Sequence, residues 1–559
     1  MKKQENYAIN EVIKFDNLRE MLDLAVQDNP EKIAFMYKEN KQEKQKTYKE
    51  FQEDTFYLGT ALSSINMDKT HIAVIGENSY NWITVYLTAL QSNGVIVPID
   101  KELPTSDIIN VLEHSDSEVL FYSGKYEKDI KEIAEKSPNV KYFIGFNLEK
   151  SEGKFISFKE FMEKGKSLYS SGDLSFVNSK PNDTRILKML VYTSGTTGMA
   201  KGVMLSEQNL MSCVYFGLQV CTVYTKCLSV LPYHHTYEAV AGLLVSLHKR
   251  TTICINDSLK NVLKNLQLYK PDYIYLVPAF AEVFYKKIWA TAKESKKDTI
   301  LKIMIKISSF LRFFGLDLRK KLFSSIHKSF GGNLKEIVCG GAPIRPEIGK
   351  FFDSIGIELV NGYGITECSP LVSVNRIGFN DCSTVGIVLP CCNVKLENIT
   401  PEGDGEICVK GDIVMLGYYK NEELTKEVIQ NGWFNTGDYG KFNDKRQLMI
   451  TGRKKNLIVL ANGKNVFPEE IENYIISIPY VQEVIVRGIM DENNLENGLL
   501  AEVFLNSDKV KELNLSDLEE TVKKDILKVC EPLPLYKKIS KVKIRDEEFP
   551  KTTTNKIKR

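Results

Sequence analysis

The chain has 559 residues, with 74 Lys and Arg against 72 Asp and Glu, a formal charge of +2. At 43% apolar and 10% aromatic residues it can bury a sizeable core, which excludes a disordered or fibrous protein. The balanced charge excludes a dedicated nucleic-acid binder, which needs concentrated excess cation.

No window approaches 18 uninterrupted apolar residues, so no transmembrane span is expected. Residues 1–10 are polar and charged and lack the apolar core of a signal peptide. The 11 cysteines contain no CxxC pair and read as reduced thiols of a cytosolic protein. Six histidines without HExxH argue against a zinc enzyme.

In chain order, the spacing predicts helices over 15–26 and 48–62, with Thr47 capping the second. A strand at 72–75, a helix at 78–90 and a strand at 95–99 form a βαβ signature. It implies a parallel sheet with right-handed crossovers. The rhythm recurs in strands at 118–122 and 141–145 around a helix at 126–136, and further strands are expected at 186–192, 228–231 and 252–255.

Residues 291–330 read as helical and carry ten Lys or Arg against three acids. Ile300, Ile303, Met304, Ile307, Leu311 and Phe314 share one helical face, with Lys302 and Lys306 off it. The plain reading packs that face on the core and leaves the lysines in water. The alternative is peripheral contact with a membrane surface.

From 385 to about 450 short strands with Gly and Pro turns predict a β-rich subdomain. After Gly452-Arg453-Lys454-Lys455 a small α+β unit is expected. Pro468 opens a helix to 474, strands follow at 484–488 and 499–505, and Ser516 leads a capping box for a helix to 529. The expected fold class is α/β: an N-terminal domain, 1–452, of parallel-sheet βαβ layers plus the β-rich part, and a small α+β C-terminal domain, 453–559. Residues 533–559 hold nine Lys or Arg and three acids, a local excess hidden by the neutral total.

Several segments carry chemistry. In Tyr192–Gly202, YTSGTTGMAKG, the glycines let backbone amides close on an anion, hydroxyls add donors and Lys201 adds charge. A Walker loop fits poorly, because Ala200 replaces its second glycine and Gly202 its Ser/Thr. Gly340-Gly341-Ala342-Pro343 follows a predicted strand, and its small residues let a flat ring lie against the backbone.

Asn361-Gly362-Tyr363-Gly364-Ile365-Thr366-Glu367 offers an aromatic for stacking, a hydroxyl for phosphate and a carboxylate for Mg2+. Asp438 ends a Gly-turn segment and is suited to both ribose hydroxyls. His235 lies in the segment LPYHHTYE. Lys556 lies in PKTTTNK near the C-terminus.

In this order and at these distances the segments resemble the adenylate-forming superfamily: acyl-CoA synthetases, aryl-CoA ligases, non-ribosomal adenylation domains and beetle luciferases. The resemblance covers roughly 15–559. It implies that Thr193, Ser194, Gly195, Thr196, Thr197, Gly198 and Lys201 bind the ATP phosphates. Gly340, Gly341, Ala342 and Pro343 would wall the adenine with Asn361, Gly362 and Tyr363. Thr366 would contact phosphate and Glu367 would hold Mg2+, both acting in catalysis with Lys556.

Asp438 and Arg453 would hold the ribose, and Lys455 would be the hinge. His235 and Gly364 would face the acyl substrate, and Gly463, Lys464 and Asn465 the thiol of CoA. Asn555 stands where the family usually has Gly, and Asn tolerates left-handed backbone angles better than other non-Gly residues.

The implied reaction is ATP-dependent activation of a carboxylic acid to an acyl-adenylate, then transfer to CoA. No Asp stands in the acid-side motif, which argues against amino acids. The extra helical segment at 291–330 resembles long-chain fatty acid–CoA ligases. An acyl carrier protein as acceptor and an aryl acid as substrate are the alternatives within the class. A non-catalytic nucleotide or fatty-acid binding module is the alternative outside it. That module predicts a broken site, yet Lys201, Glu367, Asp438 and Lys556 are all present. The expected partners are therefore a fatty acid, ATP and CoA, and no nucleic acid. The expected location is cytoplasmic, with contact at the inner membrane face through 291–330 as the option.

Overall fold

The computed structural model describes residues 9–179, 183–193, 200–461, 464–490, 496–551, 557 and 559. The chain packs as two compact units, Met1–Asn393 with Val409–Phe434, and Val394–Cys408 with Asn435–Arg559. The hairpin that ends at Arg453 thus packs with the C-terminal unit, ahead of the boundary read from the sequence.

Two sheets organise the larger unit. One runs, in spatial order, Gly417–Tyr418, Lys201–Ser206, Leu187–Thr193, Val95–Ile99, His71–Ile75, Ser117–Tyr122, Tyr142–Gly145 and Phe155–Ser157. Its strands from Leu187–Thr193 onward pair in parallel. The predicted βαβ is present there, with helix Tyr80–Gln91 between its strands. That helix is buried on all sides, as its apolar run requires, and it packs on both strands and on helix Tyr48–Ser63. Thr47 caps helix Tyr48–Ser63 and exchanges hydrogen bonds with Glu50 in a full capping box.

The second sheet has a parallel centre formed by Glu358–Tyr363, Glu336–Cys339, Tyr273–Leu276, Lys226–Ser229, Thr252–Ile255 and Ile33–Glu39, in that order. Antiparallel strands close both its ends. Parallel strands with helical crossovers are covered on both faces, and these strands are buried along most of their length.

The 291–330 stretch resolves into separate pieces. Helix Pro278–Glu294 precedes helix Asp298–Phe313, and short helices at Arg319–Leu322 and Ser324–Ser329 follow. The plain reading of its apolar face fails at four of the six residues. Ile300, Ile303, Ile307 and Phe314 are exposed, whereas Met304 packs on the core with Leu301, Ile305 and the buried Ser308. The apolar arc is wider than the six residues read from the sequence, and its other edge does the packing.

The smaller unit pairs strand Val481–Met490 antiparallel with Glu496–Leu505, which pairs in parallel with Lys541–Arg545. Helices Pro468–Ile475 and Leu518–Val529 cover this sheet through Ile471, Ile475, Val522 and Ile526. The cap of the second helix is Asp517, which accepts from the Glu520 amide, so the cap stands one residue past Ser516. None of the 11 cysteines is in a disulfide, and nine of them are buried. Among the described residues no helix is long and apolar enough to cross a membrane.

Candidate functional site

In the larger unit, strands Leu187–Thr193 and Lys201–Ser206 pair antiparallel, with Thr193 opposite Lys201. Ser194, Gly195, Thr196, Thr197 and Gly198 lie outside the described residues. The Lys201 Nζ stands 5.4 Å over the ring of Tyr418. The Tyr418 hydroxyl donates to Glu367 Oε1 at 2.9 Å.

Burial, then the charge of Glu367, pushes the Tyr418 phenol far above its ordinary pKa, so it remains a proton donor at neutral pH. Thr366 and Glu367 sit in a 3-10 turn, Thr366–Cys368, just past strand Glu358–Tyr363. The Met415 amide fixes that turn by donating to the Glu367 carbonyl at 2.9 Å. A cation, a phenol and a carboxylate from three distant segments therefore meet. Sequence spacing gave no sign of Tyr418, which reaches Lys201 because Gly417–Tyr418 pairs with the Lys201 strand.

The donor set suits Mg2+. It is a hard carboxylate with a hydroxyl beside it, and Mg2+ with nucleotide phosphates needs only one or two protein carboxylates. Among the described residues no group of three or more His, Cys, Asp or Glu could hold a metal by itself.

Gly340-Gly341-Ala342-Pro343 follows strand Glu336–Cys339, and Gly341 is left-handed at φ +83°. Cys339 pairs with Asn361 in the neighbouring strand, so this turn and Asn361–Tyr363 lie at adjacent strand ends. The Asn361 amide donates to the Thr384 carbonyl at 3.4 Å. Its buried Oδ1 has no hydrogen-bond partner among the described residues. That is a spare acceptor beside the turn.

Gly364 follows Tyr363 where only hydrogen fits, since an added Cβ would stand 1.6 Å from the Pro370 carbonyl oxygen.

His235 follows strand Lys226–Ser229, and its ring lies tilted against that of His234, with centroids 4.5 Å apart. His234 Nε2 lies 3.3 Å from Asp100 Oδ1. Burial first, and His235 next, push the His234 pKa well below its ordinary value, so His234 is neutral at physiological pH. The next residues form a buried π-helix, Tyr237–Leu244, a geometry frequent at functional sites.

The Tyr237 hydroxyl donates to the Val338 carbonyl at 2.9 Å, and a Cβ on Gly340 would stand 3.2 Å from its ring. Tyr237 thus joins the acid-side segment to the adenine-side turn, a link the sequence motif did not single out. Glu238 is fully buried and accepts from the Ser229 hydroxyl. Its Oε2 has no partner among the described residues, and burial raises its pKa to about 8.

In the smaller unit, Asp438 and Arg453 face each other across the hairpin of Trp433–Phe442 and Leu448–Arg453. Arg453 Nε lies 3.0 Å from the buried Asp438 Oδ1, and the Asp438 amide donates to Thr436 Oγ1 at 3.1 Å.

Lys455 sits in a 3-10 turn, Lys454–Asn456. Burial, then Arg453 and Arg559, lower its pKa. Lys464 pairs with Glu402 at 3.1 Å and stands 5.7 Å over Tyr536. Asn465 opens the two-residue strand Asn465–Val466. Gly463 and Lys556 lie outside the described residues. Near Lys556, Lys551 pairs with Glu548 at 2.7 Å and forms a bridge with Ile557.

Residues 22–419 match the model of the AMP-binding enzyme family, and 455–559 match that of the AMP-binding enzyme C-terminal domain. A Dictyostelium discoideum fatty acyl-CoA synthetase B is 28% identical over 79% of this chain and 69% of its own length. The Mus musculus long-chain-fatty-acid–CoA ligase 5 is 30% identical over 83% of this chain and 72% of its own. An anthranilate–CoA ligase crystallised with anthranoyl-AMP superposes with a TM-score of 0.77. It covers 100% of this chain and 97% of its own at 18% identity, which supports the fold. The chain belongs to the AMP-binding enzyme family of the adenylate-forming superfamily, as an AMP-forming acid–thiol ligase similar to long-chain fatty acid–CoA ligases.

Proposed function

We propose that the protein activates a long-chain fatty acid with ATP and passes the acyl group to CoA. The observation that carries the substrate class is that its curated relatives over three quarters or more of the chain are named for fatty acyl or long-chain fatty acid substrates. In the first step a carboxylate oxygen attacks the α-phosphorus and the bond to pyrophosphate breaks. In the second the thiol sulfur attacks the acyl carbonyl, AMP leaves and the thiol proton is lost. Both steps gain most from holding partners together and neutralising phosphate charge.

Thr193 to Gly198 and Lys201 cradle the phosphates. Thr366 contacts phosphate, and Glu367 would hold Mg2+, which would screen phosphate charge when bound. Tyr418 orients Glu367 through its hydrogen bond. Adenine lies between the Gly340–Pro343 turn and Asn361–Tyr363, where Asn361 Oδ1 offers its acceptor. Asp438 and Arg453 take the ribose. His235 and Gly364 face the acid, Gly463, Lys464 and Asn465 face CoA, and Lys556 stabilises charge developing on the reacting oxygens. Residues 453–559 act as a lid that turns at Lys455 between the two steps.

Pyrophosphate release over fatty acids of graded length, benzoate and amino acids tests this reading. Long-chain acids should give the highest kcat/KM. A preference for benzoate or an amino acid would overturn the substrate class.

A further inference from the structure

Among the described residues 24 large apolar side chains are exposed, and eight of them fall between 300 and 318. They form the outer stripe of helix Asp298–Phe313 and the turn beyond it. Phe310, Phe313 and Phe314 are 64%, 84% and 61% exposed, and their rings touch at 5.0 and 5.3 Å. Taken at about 200 Å2 per phenylalanine, these three alone leave on the order of 400 Å2 of apolar surface in water. With Ile300, Ile303 and Ile307 the patch exceeds what a soluble monomer usually shows without a use for it.

The stripe is not needed to hold the helix in place. Its opposite edge packs through Leu301, Met304 and Ile305, and Arg312 is tied to Asp353 at 2.8 Å. Exposed Lys302 and Lys306 lie along one side of the stripe, and basic residues outnumber acids ten to three over 291–330. A second copy docking here by a two-fold axis would bring this cationic margin against itself. A cluster of phenylalanines at a helix end, bordered by cations, fits an interfacial helix on an anionic lipid surface.

We propose that helix Asp298–Phe313 and its Phe314 end form a docking surface for an anionic bilayer. The stripe dips into the headgroup boundary and Lys302 and Lys306 meet lipid phosphates. The inference is independent of which acid is activated, so its failure leaves the ligase reading standing.

The test is co-sedimentation of the full chain with vesicles of phosphatidylcholine alone or containing phosphatidylglycerol. The chain should bind the anionic vesicles and release in high salt. Phe310→Ser with Phe313→Ser should weaken binding at least tenfold. Lys302→Glu with Lys306→Glu should weaken it by about fivefold or more per lysine on anionic vesicles. Both double variants should keep the unfolding midpoint and the pyrophosphate-release rate on a water-soluble short acid. Absence of binding to anionic vesicles, or equal binding by the variants, would overturn the proposal. So would a wild-type dimer that Phe310→Ser with Phe313→Ser dissolves without any vesicle effect. Capture of acidic carrier protein in place of lipid would overturn it as well.

Discussion

Glu238→Gln gives a sharp test of the buried acid-side segment. Glu238 sits wholly inside the π-helix Tyr237–Leu244, and its pKa rises from 4.5 to about 8 because burial disfavours the carboxylate. Between these values the folded chain holds a proton that the unfolded chain has lost. Wild-type stability is therefore full below about pH 4.5, falls as pH rises through about 8, and levels off above it. Each tenfold change in proton affinity is about 1.4 kcal/mol, so the loss reaches at most about 5 kcal/mol.

Glutamine has the same shape and no charge. Its amide meets the unpartnered environment that the protonated acid meets at Oε2. The variant should match wild type near pH 5 and be more stable near pH 9 by a few kcal/mol. Denaturant midpoints for both chains across pH 5–9 measure this. A difference between the two chains that stays constant with pH would refute the argument that burial keeps Glu238 protonated.

Lys556→Ala should slow adenylation by about 10²-fold or more while ATP binding persists, read by pyrophosphate release and nucleotide titration. Unchanged pyrophosphate release would remove Lys556 from the chemistry. Asp438→Ala should raise the KM for ATP about tenfold or more, because it removes a buried acceptor and frees Arg453 from its 3.0 Å pairing. Gly364→Ala should destabilise the larger unit by several kcal/mol, since its Cβ would stand 1.6 Å from a backbone oxygen. A normal unfolding midpoint in that variant would contradict the close approach.

Much of the fold was legible in the sequence because local signals agreed with the tertiary structure. The Thr47 N-cap, the strand at Val95–Ile99 and the strand at Glu336–Cys339 all lie where periodicity and capping chemistry place them. The outer face of helix Asp298–Phe313 was misread because its apolar arc spans more than half the helix. Periodicity finds such an arc but cannot say which edge meets the core.

In the site, motifs pointed to Lys201 and Glu367 separately. Their link through Tyr418 depends on a strand pairing across more than two hundred residues. The Tyr237 contact with the Gly340 turn has the same non-local origin. The pairing of Asp438 with Arg453 follows from hairpin register, which their separation in sequence does not specify.

The most direct measurement of the central claim is product analysis by mass spectrometry. The chain is incubated with palmitate, ATP, Mg2+ and either CoA or a phosphopantetheinylated carrier protein. The account predicts palmitoyl-CoA, AMP and pyrophosphate in equal amounts. Formation of ADP and phosphate, or a thioester on carrier protein with none on CoA, would contradict it.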